Sequence, residues 1–314
     1  MRSSAPPASS STRVCSLSAL GPPTLAIDIG GTKTAVALVS KGTVLARRQS
    51  PTPARAGPEA VVANSLDLIG EWHHEVTRVG VACTGVVRSE RVWAVNQQIM
   101  PGWSGFALSA ALNRVTQLPV TTINDAQAAA WGEFQYGAAS WCTSACFVTV
   151  STGIGGGFVT NGNLVIGADG IAGHVGHIVV ASDGVPCVCG RRGCLETIAS
   201  GSAVSRRAQD FGVTAGAREV IKLAIGGEAW AVDVITQAAA ALVSAFADIK
   251  AVIDPDVIVV GGSFGLNPFF QDLLSNMLSL ESHAFVPQLR RATLGADAGL
   301  VGAAAWVEGE RRTP

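Results

Sequence analysis

Asp125 stands at a position where a carboxylate could act as a base. It follows Asn124 at the end of the β-branched run 120–123 and precedes the alanine-rich run 126–134, an order typical of a strand followed by a helix. Open α/β sheets bind their ligands at the carboxyl ends of strands. A base there could deprotonate an attacking hydroxyl in a phosphoryl transfer. Aspartate is also a favoured helix N-cap, and the two roles are compatible.

Two glycine-rich turns could cradle phosphate groups. The first, at 28–33, reads DIGGTK, and the second, at 151–157, reads STGIGGG. Glycine allows backbone N–H groups to approach an anion closely. Each turn alone is equally compatible with an ordinary hairpin, and neither has the spacing of the dinucleotide fingerprint or the Walker A loop. Together they predict a clamp for a nucleoside triphosphate, with Gly261 and Gly262 forming a flat surface for its adenine or ribose.

A compact cluster of cysteines suggests a metal site. Cys187, Cys189 and Cys194 lie within eight residues, are separated by glycines and follow two histidines. This composition suits a tetrahedral Cys₃His zinc site, and with four protein ligands such a site is closed and structural. We expect it to hold the loop that carries His174 and Glu196 near the ligand cleft. The alternative is a chance clustering of buried thiols.

These residues require an α/β framework to bring them together. Apolar runs flank both glycine turns, and the second strand–turn–strand unit follows the first by about 120 residues. Such a recurrence indicates an internal duplication, with one copy beginning each of two domains. Strands that alternate with helices define the α/β class. The predicted strands are 24–28, 34–39, 79–82, 120–123, 146–150, 157–160 and 257–260, and the predicted helices are 58–74, 126–134, 201–210, 218–224, 229–253 and 296–308.

The order of these runs predicts a two-domain plan. A chain of 314 residues is near the limit of a single core, which favours two domains. We predict a disordered, Ser- and Pro-rich extension at 1–23, a small α/β domain at 24–123 and a large α/β domain with the zinc loop at 124–293. The alanine-rich helix at 294–310 is expected to dock back onto the small domain.

The composition excludes two classes of partner. Only 14% of the residues are charged and the formal net charge is −1, so no basic face for nucleic acid is expected. The longest uncharged stretch, 134–168, is interrupted by polar residues and glycines, and the apolar run 234–247 is too short to span a bilayer. We therefore predict a soluble protein with no nucleic-acid partner and no membrane association. Seven cysteines without a secretory pattern favour a cytoplasmic location.

Five motifs together resemble those of the ROK family of sugar kinases. They are DIGGTK, NDAQAAAWGE, STGIGGG, AGHVGH and CVCGRRGCLETIASG, and the resemblance extends over about residues 24–308. It implies an α/β, two-domain actin-like ATPase (ribonuclease H-like) fold with ATP and a sugar in the interdomain cleft. It also implies Mg²⁺ and a structural Zn²⁺ as cofactors, a small-molecule sugar as the acceptor of the phosphoryl group, and a homodimer.

The resemblance implies a role for each motif. Asp125 would take the proton from the C6 hydroxyl of the sugar, and Asp28 would help to hold Mg²⁺ through water. The implied ATP contacts are Ala26, Ile27, Asp28, Ile29, Gly30, Gly31, Thr32, Lys33, Gly153, Ile154, Gly155, Gly156, Gly157, Phe158, Val159, Thr160, Gly261 and Gly262. The implied sugar contacts are Asn96, Asn124, Asp125, His174, His177 and Glu196, and the implied zinc ligands are His177, Cys187, Cys189 and Cys194.

One departure from the family pattern bears on the acceptor sugar. His174 occupies a position where many members have glutamate, and the resulting GHVGH segment resembles that of members that act on N-acetylmannosamine. The resemblance thus implies phosphorylation of N-acetylmannosamine at C6, a step of amino-sugar catabolism. A glucokinase or an N-acetylglucosamine kinase is the alternative within the family. A sugar-responsive repressor is less favoured, because the 23 residues before the first strand show no helix-turn-helix pattern.

Overall fold

The strands assemble into three sheets in the computed structural model, which describes residues 22–97, 100–281 and 284–309. The predicted extension at 1–23 lies almost wholly outside the described residues. Two of the sheets have five strands and the third has three. The strands are β1 (Thr24–Ile29), β2 (Lys33–Ser40), β3 (Thr43–Pro51), β4 (Val79–Cys83), β5 (Val86–Arg88), β6 (Arg91–Trp93), β7 (Ser104–Phe106), β8 (Val120–Asn124), β9 (Ala145–Val150), β10 (Ile154–Thr160), β11 (Asn163–Val165), β12 (Val257–Gly261) and β13 (Leu289–Arg291).

The helices of the described residues are α1 (Pro58–Ile69), α2 (Leu108–Thr116), α3 (Asp125–Tyr136), α4 (Glu196–Ala199), α5 (Gly201–Asp210), α6 (Ala217–Ile225), α7 (Ala229–Ile253), α8 (Pro268–Leu280) and α9 (Ala298–Glu308). Helices α5 and α7 begin and end at the predicted residues. The helix predicted at 58–74 instead ends at Ile69, because Gly70 adopts a φ of 53° and the chain continues as a 3₁₀ turn. The helix predicted at 296–308 begins only after the 3₁₀ turn Gly295–Asp297.

The two five-stranded sheets have the same topology. Their strand orders are β3-β2-β1-β4-β8 and β11-β10-β9-β12-β13. In each sheet the first three strands pair antiparallel, and the remaining neighbours pair in parallel. Strands β1 and β9 are thus equivalent, and each leads into one of the two glycine turns. This equivalence matches the duplication predicted from the recurring strand–turn–strand unit.

The sequence did not predict the short strands, the exposed strand β3 or helix α8. Strands β5, β6, β7, β11 and β13 have three residues each, which is too few to produce a periodic pattern. Strand β3 is largely exposed and carries Arg47 and Arg48, so it lacks apolar alternation. Helix α8 did have a signal in the sequence, since Asn267 caps it and Pro268 occupies its first turn.

Helices α3 and α9 join the two large sheets. Helix α3 packs mainly on β9 and β10, α9 packs on β1, β2 and β4, and the two helices pack on each other. Glycine permits their close approach. A Cβ on Gly302 would lie 1.7 Å from the carbonyl oxygen of Ala128, and one on Gly132 would lie 2.7 Å from that of Ala298. The sheets are therefore connected through direct contact of helix backbones.

A buried carboxylate strengthens this connection. Glu133, on α3, is fully buried, and its Oε1 accepts hydrogen bonds from the backbone N–H groups of Thr293 and Leu294 at 2.9 and 2.7 Å. Its Oε2 accepts from the N–H of Ala138 at 2.8 Å. Glu133 thus ties α3 to the segment that enters α9. Helix α9 lies on the first sheet, where the C-terminal helix was expected, and the domain boundaries stay a prediction.

Helix α7 is the longest helix of the described residues. It contains the apolar run 234–247, and its 25 residues are long and apolar enough to cross a membrane by length and composition alone. However, half of its most apolar 18-residue window is buried. Its side chains Ile235, Leu242 and Phe246 are fully buried and pack in one cluster with the strands of the second large sheet. In this fold α7 is a core helix.

Candidate active site

The end of β8 presents two polar residues, Asn124 and Asp125, at the start of α3. Asn124 is the N-cap, because its Oδ1 accepts hydrogen bonds from the N–H groups of Ala126 and Gln127, both at 3.0 Å. Its Nδ2 donates to the carbonyl oxygen of Gly85 at 2.9 Å, which holds the segment before β5 against β8. The N-cap role that was one interpretation of Asp125 therefore belongs to Asn124.

Asp125 is the first residue of α3, and its carboxylate is oriented by its neighbours. Its Oδ1 accepts hydrogen bonds from the N–H of Ala126 at 2.8 Å and from Nδ2 of Asn124 at 3.0 Å. Burial raises the pKa of the Asp125 carboxyl, and hydrogen bonds, including one from the Thr84 side chain, oppose that rise. A partly desolvated carboxylate is a stronger base than one in water, which suits removal of a proton from a hydroxyl.

Asp28, near the end of β1, is a second carboxylate of the site. Burial, followed by the negative charge of Asp125, raises the pKa of Asp28 to about 7. The cations of Lys33 and Arg47 act in the opposite direction, and the charge of Asp297 adds to the rise. The ionised form of Asp28 is therefore disfavoured in the ligand-free chain, and a bound cation would favour it.

Asp28 is expected to lower the stability of the ligand-free protein as the pH rises. The folded chain keeps the carboxyl proton up to a pH of about 7, whereas an ordinary aspartate loses it near 3.8. Raising the pH through this window therefore lowers the free energy of unfolding. Replacing Asp28 with asparagine should stabilise the protein by about 4 kcal/mol at pH 8 and hardly at all at pH 4. Urea unfolding measures both values, and an equal gain at the two pH values would contradict the assignment.

The first glycine turn is a tight connection between β1 and β2. The N–H of Gly30 donates to the carbonyl oxygen of Lys33 at 3.0 Å, and Oγ1 of Thr52 donates to the carbonyl oxygen of Gly30 at 2.8 Å. Thr32 and Lys33 are exposed at the tip, beside Gly31. This part of the turn can reach a ligand. Three other predicted ATP contacts have fully buried side chains in β1, namely Ala26, Ile27 and Ile29.

The second glycine turn is shorter than the sequence suggested. Strand β10 begins at Ile154, so the turn spans only residues 151–153. A Cβ on Gly157 would lie 2.6 Å from the Cβ of Ala130, so glycine is needed there for α3 to pack on the strand. Packing on α3 explains Gly157, and ATP contact along this strand stays a prediction. Seven of the predicted ATP contacts lie within this strand: Ile154, Gly155, Gly156, Gly157, Phe158, Val159 and Thr160.

Glu196 lies against the second turn. Its Oε2 accepts a hydrogen bond from the N–H of Ile154 at 2.9 Å, and a Cβ on Gly153 would lie 2.6 Å from the same oxygen. Glu196 is also the first residue of α4, two positions after Cys194. The position of this carboxylate at the turn therefore depends on the conformation of the cysteine loop.

His174 lies on the loop that follows β11. Its Nδ1 is 2.9 Å from the carbonyl oxygen of Ile171. Nε2 of Gln127 donates to the carbonyl oxygen of Ala172 at 2.8 Å, which fastens this loop to the first turn of α3. Burial lowers the pKa of the His174 imidazole and so favours its neutral form. Asn96, a further predicted sugar contact, follows β6 in the first half of the chain.

A cavity of about 590 Å³ opens beside the second turn and α5. Gly261 ends β12, a Cβ on Gly262 would lie 2.3 Å from the carbonyl oxygen of Val150 in β9, and neither glycine lines the cavity. Ser263 and Phe264 line it instead. The sequence did signal the start of α5, which supplies part of the lining, because Ser200 is a typical N-cap residue. The lining residues are Ser151, Thr152, Gly201, Ser202, Ser205, Arg206, Gln209, Gly216, Ala217, Arg218, Ile221, Ser263, Phe264 and Asn267.

The predicted zinc ligands come together. One donor atom from each of His177, Cys187, Cys189 and Cys194 lies within 4.8 Å of all the others. The Cys187 Sγ–His177 Nδ1 distance is 3.5 Å and the Cys189 Sγ–Cys194 Sγ distance is 3.6 Å. A disulfide needs about 2.05 Å between sulfurs. Zn–S bonds of about 2.3 Å in a tetrahedron separate the sulfurs by roughly 3.8 Å. The donor set and its spacing fit zinc.

Two sheets of matched topology, with carboxylates at the ends of β1 and β8, are typical of the actin-like ATPase class. The family model described as ROK family matches residues 24–310, and the chain belongs to this family. A curated relative is the N-acetylmannosamine kinase of Escherichia fergusonii. The two chains are 42% identical over 289 residues, which is 92% of this chain and 99% of the relative.

Solved structures agree with the family assignment. A ROK family glucokinase from Streptomyces griseus, in complex with glucose and AMPPNP, has a TM-score of 0.80 and 30% identity over 92% of this chain and 100% of its own. A ROK hexokinase from Thermus thermophilus has a TM-score of 0.79 and 33% identity over 91% of this chain and 99% of its own. The predicted family and the predicted two-domain actin-like fold class are confirmed.

Proposed function

We propose that this chain is an ATP-dependent sugar kinase that phosphorylates N-acetylmannosamine at its C6 hydroxyl, giving N-acetylmannosamine 6-phosphate. The observation that carries the proposal is the 42% identity with the N-acetylmannosamine kinase of Escherichia fergusonii over 92% of this chain. The site supports it, since Asp125 is a carboxylate of raised pKa at the end of a strand. The loop of His174 is fastened to the same helix that Asp125 begins.

Asp125 is the base in this proposal. It accepts the proton of the C6 hydroxyl as that oxygen attacks the γ-phosphorus of ATP and ADP leaves. The hydrogen bonds from Ala126 and Asn124 hold the carboxylate in one orientation, so no reorganisation is needed when the sugar arrives. The raised pKa increases the proton affinity of the carboxylate.

Asp28 is the residue that would hold Mg²⁺. Magnesium prefers carboxylate and water oxygens, and it commonly binds through one or two carboxylates and the phosphates of a substrate. Asp28 precedes the first turn, where the exposed Lys33 supplies a cation for the phosphates of ATP. Its raised pKa fits a site whose charge is completed by a cation. When bound, Mg²⁺ neutralises charge that develops on the transferred phosphoryl group.

The cavity beside α5 is the proposed site for the adenosine part of ATP. Its volume of about 590 Å³ is typical of small-molecule pockets. Its lining includes Thr152 on the second turn, Arg206 on α5 and Arg218 on α6. At the N-terminus of α5, the N–H groups of Gly201 and Ser202 donate to the carbonyl oxygens of Ser151 and Thr152 at 2.7 and 3.1 Å, which fixes the second turn beside the cavity.

Four side chains besides Asp125 and His177 are the proposed sugar contacts. Asn124 ends β8 and Glu196 begins α4, and His174 and Asn96 lie on loops. We include His177 with a double role. Its Nδ1 faces Cys187 in the zinc site, which leaves Nε2 for a sugar hydroxyl. A structural zinc ion, a cytoplasmic location and a homodimer complete the proposal.

The acceptor sugar is tested by a panel of sugars with purified protein. We expect kcat/KM for N-acetylmannosamine to exceed the values for glucose and N-acetylglucosamine by at least about tenfold. Glucose lacks the acetamido group and N-acetylglucosamine is the C2 epimer, so each leaves polar groups of the site unpaired. Coupled detection of ADP release measures each value. A higher value for glucose or N-acetylglucosamine would make the chain the alternative kinase of the family. Absence of turnover with every sugar would refute the kinase proposal.

A further inference from the structure

An ion pair crosses from the first half of the chain to the loop that carries His174. Nη1 of Arg88, the last residue of β5, lies 2.6 Å from Oδ1 of Asp169. Both side chains are more than half exposed, at 56% and 62%. The two residues are 81 positions apart in the chain, so the pair forms only when the two halves are correctly placed.

The backbone of the same loop rests directly on β5. Gly170 has a φ of 75°, and a Cβ at this position would lie 2.1 Å from the carbonyl oxygen of Val87. The Val87 side chain is in turn buried in the core of the first half. Only glycine therefore allows the loop to approach the strand this closely. Val87 and Arg88 are neighbours in β5, and Asp169 and Gly170 are neighbours in the loop, so the backbone contact and the ion pair lie side by side.

The loop is equally well attached to the second half. Gln127 on α3 donates to the carbonyl oxygen of Ala172 at 2.8 Å, and a Cβ on Gly173 would lie 2.7 Å from the carbonyl oxygen of Gly156 in β10. The loop is thus held by α3 and β10 at Ala172 and Gly173, and by β5 at Asp169 and Gly170. Its position relative to β5 determines how His174 meets the residues at the end of β8.

We propose that Arg88 and Asp169 are positioning residues that hold the His174 loop against β5 and thereby increase the affinity for the sugar. The inference rests on the proposed function, in that the sugar binds between His174 and Asn124. Asn124 is bonded to Gly85, immediately before β5, so strand and loop border that space from two sides. Neither Arg88 nor Asp169 needs to touch the sugar. Because exposed ion pairs are weak, the effect falls on affinity and leaves the fold intact.

Charge reversal separates this role from a general structural one. Arg88→Asp and Asp169→Arg should each raise KM for the acceptor sugar by about fivefold, because attraction across the loop becomes repulsion. KM for ATP and kcat should stay within about twofold of wild type. The double reversal restores the pair in the opposite sense and should return KM to within about twofold of wild type. Lys222→Asp is the matched control, since its partner Glu219 lies on the same helix and the pair joins no two halves.

Two kinetic outcomes would overturn the proposal. The first is an unchanged KM for the sugar in both single reversals. The second is a double reversal as impaired as the worse single variant. Hydrogen exchange on the ligand-free protein gives a readout that requires no substrate. The amides of Ala172 and His174, which donate within the loop, should exchange faster in each single reversal and recover in the double. If wild type phosphorylates no sugar, the proposed function fails, and hydrogen exchange still decides whether the pair holds the loop.

Discussion

Replacement of Asp125 with asparagine is expected to lower kcat by about 10²- to 10⁴-fold, the usual contribution of a positioned general base. The amide cannot accept the proton of the attacking hydroxyl, although it has nearly the same shape. Its oxygen can still accept the hydrogen bond that the N–H of Ala126 donates to Oδ1 at 2.8 Å. The free energy of unfolding should stay the same or increase, because burial disfavours the ionised carboxylate that is removed. Steady-state kinetics and urea unfolding measure the two quantities.

Asp256→Asn is the matched control for this prediction. Asp256 is also an aspartate, but it lies far from the site and its Oδ2 accepts hydrogen bonds from the N–H groups of Thr143 and Ser144 at 3.1 and 3.0 Å. These bonds lower its pKa, so the ionised form stabilises the fold. Asp256→Asn should therefore keep kcat and lose stability, the reverse of Asp125→Asn. Near-normal turnover by the Asp125 variant would refute the assignment of the base.

Removal of zinc is expected to have the second large effect. We expect about one zinc ion per chain in the purified protein and almost none in Cys194→Ser, because thiolate ligands carry most of the affinity of such a site. The midpoint of thermal unfolding should fall by about 5 to 10 °C, as a few kcal/mol of metal-coupled folding are lost. Activity should fall as well. Glu196 follows Cys194 by two positions and bonds Ile154 at the second turn, so it would lose its support.

Cys146→Ser is the control for the zinc prediction. Cys146 is as completely buried as Cys194, but it lies in β9 and outside the cluster. Elemental analysis should find the zinc content unchanged in this variant, whatever the loss of stability. The hypothesis would be wrong if wild-type protein prepared without chelators held no zinc, or if both variants lost zinc to the same extent.

Helices α5 and α7 were predicted with their exact bounds, and the reason is local. Helix α7 has a long apolar periodicity and ends at a left-handed C-cap, Asp254. Both features depend on residues that are close together in the chain. Strand β3 could not be predicted in the same way. It is held to β2 by backbone hydrogen bonds and faces solvent, so its side chains leave no apolar pattern.

The candidate site was predicted unevenly. Asp125 and the cysteines stand out because their chemistry is unusual for their surroundings. The glycines of β10 were assigned to phosphate binding, and the structure shows that two of them, Gly155 and Gly157, lie against α3. The same residue type serves both purposes, and only the position of the neighbouring helix distinguishes them. The cavity beside α5 was missed because its walls come from four separate segments of the chain.

The sequence alone was sufficient for the features that depend on near neighbours, such as the α/β class, the two turns and a cysteine cluster within eight residues. Tertiary structure decided the features that join distant residues. The charge of Asp125 raises the pKa of Asp28 only because β1 and β8 both lie beside β4 in the first sheet. Likewise, Arg88 meets Asp169 only because α3 and α9 bring the two sheets together through glycine contacts. Local backbone preferences and periodicity act over a few residues, whereas these contacts depend on how whole elements pack.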